Sequence, residues 1–78
     1  MVFNKIYRDL MDKIDTYSHR FRNCLSWYEN ADESEKEICK SFLEDARFWL
    51  NRRNECVRKL NKMRGNKEQI FDEWTFPY

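Results

Sequence analysis

Apolar side chains recur along the first third of the chain at Phe3, Tyr7, Leu10, Ile14, Tyr17, Phe21, Cys24 and Tyr28, in steps that alternate between four and three residues. Steps of this kind put every member on one side of an α-helix, as in a coiled-coil seam. The pattern predicts a first helix over about residues 2–29. It breaks at ENADESEKE, where Asp32 with Glu35, or Ser34 with Glu37, has the spacing of a capping box. Acids in a first turn also suit the positive end of the helix dipole. A second seam follows at Cys39, Phe42, Ala46, Trp49, Arg53, Cys56, Leu60 and Met63, with Arg53 as its only charged member. Gly65 stands where a residue in the left-handed conformation commonly ends a helix. The second helix is therefore expected over about 34–64, leaving a tail over 66–78.

The two seams fit each other. In an antiparallel hairpin turning near residues 31–32, Cys24 meets Cys39, Phe21 meets Phe42, Tyr17 meets Ala46, Ile14 meets Trp49, Leu10 meets Arg53, Tyr7 meets Cys56 and Phe3 meets Leu60. Large residues face small ones at Tyr17/Ala46 and Tyr7/Cys56, as interdigitated packing prefers. Two independent stripes need not agree in this way. The fold class expected is all-α: residues 1–78 form one helical-hairpin domain with a short aromatic C-terminal tail.

A second apolar line lies beside the seam of helix 2 at Leu43, Leu50 and Val57. Helix 1 adds Met11 and Leu25 on one flank, and Ile6 and Trp27 on the other. Two helices alone do not cover this much apolar surface. One solution is a homodimer forming a four-helix bundle, with Leu43, Leu50, Val57, Met11 and Leu25 at the interface. The rival is that the tail covers it, since EQIFDEWTFPY holds Ile70, Phe71, Trp74, Phe76 and Tyr78, and the two arrangements can coexist.

Composition narrows the class. Gly and Pro occur once each, which disfavours a turn-rich β fold. Aromatics make up 17% of a chain that is 37% charged, which argues against disorder. A chain of 78 residues buries only a modest core. Three cysteines (Cys24, Cys39 and Cys56) without a C-x-x-C motif, and the single His19, offer no metal-ligand set. They read as reduced, buried thiols. No signal-peptide layout and no span-length apolar run appear, so a cytoplasmic protein with no membrane association is expected. No cofactor-binding motif and no convincing acid/base pair are present, so no catalytic residue is assigned and enzyme activity is not expected.

The net charge of +1 conceals a segregation. Residues 32–46 hold two basic against six acidic residues, residues 47–67 hold eight against one, and residues 68–78 hold three acids and no base. Within the basic segment, Arg47, Asn51, Asn54, Arg58 and Asn61 form a continuous polar stripe at helical spacing, flanked by Arg52, Lys59 and Lys62 and closed by Arg64 and Lys67. Asn is a poor helix former, at roughly half a kcal/mol or more against Ala, so three of them in one helix need a reason. Arg and Lys bind phosphates, and Asn and Arg hydrogen-bond base edges or sugars. Nucleic-acid contact is one reading. A solvated face with late-helix cations complementing the dipole is a second, and an acidic protein partner is a third. Among nucleic acids, RNA is favoured over a DNA operator, because no helix-turn-helix spacing is visible.

Other features have competing readings too. Arg53 on the seam either snorkels past Leu10 towards Asp9 or Asp12, or stays buried and fixes the register. The tail residues Phe71, Trp74, Phe76 and Tyr78 are either packed over the hairpin or offered to a partner. As a third possibility, the acidic tail covers the basic stripe until a ligand displaces it.

In overall character the chain resembles the small accessory proteins of T-even-type bacteriophages. These are short, Gly-poor and Pro-poor chains rich in Lys, Asn, Ile, Phe and Tyr, as in MVFNKIYRDLMDKIDTYSHRF. The resemblance implies a host-takeover or anti-defence role in the host cytoplasm. Such a protein would bind a host protein or ribonucleoprotein and block it, for example in a toxin–antitoxin system. The function expected is thus a non-enzymatic, homodimeric RNA-binding inhibitor. The alternative is a protein-binding inhibitor or adaptor that acts through the aromatic tail and exposed apolar helix surface.

Overall fold

The computed structural model describes the backbone of residues 2–64 and 71–78, and the side chains of residues 5–63 and 71–78. Two long helices form an antiparallel hairpin, α1 over Val2–Glu29 and α2 over Ser41–Arg64. The pairing of Phe3 with Leu60, and the roles expected for Arg64, Gly65, Lys67 and Ile70, fall outside the described side chains.

The hairpin core has two compartments. Towards the chain ends, Leu10 and Ile14 of α1 bury against Cys56, Val57 and Leu60 of α2. Towards the turn, Phe21 and Cys24 bury against Ala46 and Leu50. The early half of α1 thus meets the late half of α2, as the two seams require.

The connection is longer than its sequence suggests. Turns fill residues 33–37, a single 3₁₀ turn covers Ile38–Lys40, and α2 begins only at Ser41. The Glu35 N–H donates to the Asp32 carbonyl at 2.8 Å, but Glu37 forms no side-chain cap ahead of the 3₁₀ turn. The acids Asp32, Glu33, Glu35 and Glu37 are all exposed, so nothing apolar anchors that stretch as a regular helix. The longer turn also shifts the register. The cross-helix contacts Tyr17–Trp49, Trp27–Phe42 and Ser18–Arg53 centre on residues 33–36 rather than 31–32. Tyr17 therefore stacks on Trp49, not over Ala46. Cys24, Cys39 and Cys56 are all free thiols.

The second apolar line is covered from within the chain. Residues 71–78 run as an extended strap back along the hairpin, antiparallel to α2. Phe71 packs on the compartment nearer the chain ends, and Trp74 and Phe76 pack on the one nearer the turn. Leu50 and Val57 are buried, while Met11 and Leu25 pack half-buried beside the two compartments. Leu43 is half-buried too. Leu50 and Val57, two of the residues expected at a dimer interface, belong to the compartments on which the tail packs. Three aromatic rings on a short peptide add apolar surface to both compartments.

Candidate nucleic-acid interface

Helix 2 puts Arg47, Asn51, Asn54, Arg58 and Asn61 along one stripe, as the spacing requires, but the tail lies against that stripe. Asn54 is buried, and its amide brackets the backbone of Trp74. Its Nδ2 donates to the Trp74 carbonyl at 2.8 Å, and its Oδ1 accepts from the Trp74 N–H at 3.0 Å. The side chain thus acts as the neighbouring strand that an isolated extended peptide lacks. Asn61 Nδ2 donates to the Phe71 carbonyl at 3.3 Å. Two of the three asparagines therefore hold the tail's backbone, which explains why a helix keeps these weak helix formers on one line. Asn51 stays exposed.

The cations of the stripe divide between tail and solvent. Arg58 pairs with Glu73 at 2.6 Å, and both side chains remain exposed. The Arg47 guanidinium lies 4.2 Å from the Phe76 ring centroid but is otherwise open to water. Arg52, Lys59 and Lys62 are exposed on the flank away from the tail. Among the described residues these cations make one ion pair, Lys59 with Glu55 at 3.8 Å. The outer ridge of α2 therefore keeps five exposed cations: Arg47, Arg52, Arg58, Lys59 and Lys62.

Arg53 takes neither Asp9 nor Asp12 as partner. It is 2% exposed and turns towards the tail. Its Nε donates to Ser18 Oγ at 2.9 Å, and its Nη1 donates to the Asp72 carbonyl at 2.9 Å and to Asn54 Oδ1 at 3.2 Å. Ser18 passes the chain on by donating to the Ile14 carbonyl at 2.6 Å. The guanidinium carbon sits 3.5 Å from the Trp74 ring centroid, with Arg22 at 4.9 Å from the same ring. Burial, and next the Arg22 cation, pull the Arg53 pKa below its ordinary value, while Asp72 opposes them. One buried charge thus ties α1, α2 and the tail together through neutral acceptors and a π face.

The remaining tail aromatics are also engaged within the chain. The Tyr78 hydroxyl donates to Glu29 Oε2 at 2.8 Å, and its ring meets Tyr28 edge-on. Phe71, Trp74 and Phe76 belong to the core clusters, so these four residues are docked rather than presented as a free peptide.

The face opposite the tail carries a feature the seam analysis did not isolate. Tyr17 stacks on Trp49, Phe48 meets Trp49 nearly perpendicular with centroids 4.9 Å apart, and Phe48 is itself exposed. The Arg20 guanidinium lies 4.6 Å from the Trp49 centroid, and that of Arg52 lies 5.0 Å from Phe48. Adjacent aromatics at 48 and 49 were the signal available in sequence. Their service to one surface depends on Arg20 from the other helix.

No cluster of three His, Cys, Asp or Glu among the described residues is arranged to hold a metal ion. His19 is exposed beside Asp15 at 3.6 Å. No described helix is long and apolar enough to cross a membrane. Comparison with protein families, curated proteins and solved structures gives no match to this chain.

Proposed function

We propose that this is a non-enzymatic RNA-binding protein that grips the phosphate backbone with the outer ridge of α2. The observation that carries the reading is the set of five exposed cations, Arg47, Arg52, Arg58, Lys59 and Lys62, on one side of one helix. Among the described residues only Glu55 and Glu73 pair with them. Because Asn54 and Asn61 are committed to the tail, the contact is one of charge and shape rather than base reading through the asparagines. In this reading the docked tail is part of the platform: it fixes Arg47 and Arg58 in place. The likeness in character to phage accessory proteins suggests that the RNA belongs to a host ribonucleoprotein.

The test is binding of an RNA oligonucleotide to the whole chain at several salt concentrations. Affinity should fall steeply with salt, as released counterions require. The triple variant Arg52→Glu, Lys59→Glu, Lys62→Glu leaves the described tail hydrogen bonds and ion pair untouched. It should lose binding and flatten the salt slope by roughly two, at about 0.7 per phosphate contact on a single strand. Unchanged affinity in a variant of native helicity would sink the reading.

A second reading rests on the turn end of the molecule. Trp27 and Ile38 are exposed there, and Trp27 packs on Phe42, beside the acids of residues 32–37. A protein partner docking on this apolar patch would lose affinity on Trp27→Ala while ignoring the ridge charges.

A further inference from the structure

On the face away from the tail, Asp12, Tyr17 and Arg20 of α1 and Phe48, Trp49 and Arg52 of α2 line a recess of about 430 Å³. Its aromatic walls form a corner: the Phe48 and Trp49 rings stand at 78° with centroids 4.9 Å apart. A flat ligand seated there stacks on one ring and lays its edge against the other, the two arrangements that aromatic quadrupoles favour. Trp49 already carries Tyr17 and the Arg20 guanidinium, whereas Phe48 is 48% exposed, with Trp49 and the Arg52 guanidinium against its ring. An aromatic ring left half open between two arginines that make no ion pair among the described residues is unexplained by the core.

We propose that this recess receives an unpaired nucleobase, so that the protein selects single-stranded over double-stranded RNA. The inference rests on the RNA reading above and specifies the ligand of the same surface. Phe48 and Trp49 supply the stack, and Arg20 and Arg52 meet the phosphates on either side. Asp12 offers an acceptor for an exocyclic amine or a sugar hydroxyl. Arg52 belongs to the basic ridge, so a strand leaving the corner continues along Lys59 and Lys62. A duplex keeps its bases paired and stacked and reaches only the ridge.

The test compares a fluorescein-labelled oligouridylate with an RNA hairpin of equal phosphate number, on the whole chain at one salt concentration. The single strand should bind more tightly. Phe48→Ala should weaken it by about 5- to 150-fold, the effect of losing one base–aromatic stack, while the hairpin changes little. Phe48→Trp should restore the preference. Uridine monophosphate should compete poorly, since a single nucleotide cannot reach the ridge, and equal affinity for it would overturn the claim to a strand. If both RNAs bind with a steep salt slope but equally well, or if Phe48→Ala leaves their ratio unchanged, the recess is not a base site and only this inference falls. If neither binds at low salt, the RNA reading falls and takes this one with it.

Discussion

Arg53 carries a full charge at a position where the seam calls for an apolar side chain, and the chain finds four partners for it without using a carboxylate. Removing it leaves Ser18, Asn54 and the Asp72 carbonyl short of a donor and strips a cation from Trp74. Each buried polar group left unsatisfied costs about 1–3 kcal/mol. Arg53→Ala should therefore lower the stability to urea by about 2–4 kcal/mol, with Trp74 fluorescence moving to the red as the tail loosens. A change within error would mean that the tail does not depend on this node. The cysteines give an independent check. Burial first, then the Asp45 carboxylate, raise the Cys24 pKa, so the group stays a protonated thiol at neutral pH. A folded-state pKa raised above its unfolded value contributes stability below that unfolded value and loses it as pH climbs through the folded one. Cys24 and Cys56 are buried and Cys39 is half-buried. An alkylating reagent at pH 8 should modify Cys39 first and reach Cys24 only on unfolding. Early modification of Cys24, read by mass spectrometry, would contradict the packing of the turn-end compartment.

At the scale of elements, the tail completes the core of the hairpin. It supplies Phe71, Trp74 and Phe76 to the two compartments, and fully burying one such side chain stabilises by about 1.5–3 kcal/mol. Ending the chain after Lys67 should reduce stability by about 3–6 kcal/mol and expose the Leu50–Val57 line, making the hairpin aggregate or unfold. Retention of native stability on truncation would show the tail to be an appendage. Leu50→Ala tests the same layer from the other side. It should cost about 2–5 kcal/mol in a monomer, with no dependence on protein concentration. A concentration-dependent midpoint would instead restore the dimer as the element that covers this line. Alkali should release the far end of the strap first. The Glu29 hydrogen bond leads the causes that raise the Tyr78 pKa, so that contact is fully present below the ordinary tyrosine value and is lost as pH climbs through the raised folded-state one.

Across the whole molecule the two long faces of the hairpin have different fates. One is sealed by an acidic aromatic strap; the other leaves Ile6 and Phe48 open beside cations, with Trp27 exposed at the turn end. The molecule extends 52 × 21 × 14 Å, so the ridge of α2 offers a strand a track rather than a pocket. What sequence determined was whatever is periodic. Alternating steps of three and four fixed both helices, their antiparallel match and the basic face of α2, because a helix converts spacing into direction without help from the rest of the chain. The aperiodic parts waited for the tertiary structure. FDEWTFPY has no repeat that says where it lies, and only the contacts of Asn54 with Trp74 and of Asn61 with Phe71 turn two of the three costly asparagines into a receptor for it. The register likewise depended on the 3₁₀ turn at Ile38–Lys40, which no local pattern announces, and Arg20 joins Phe48 and Trp49 only once two distant helices have met.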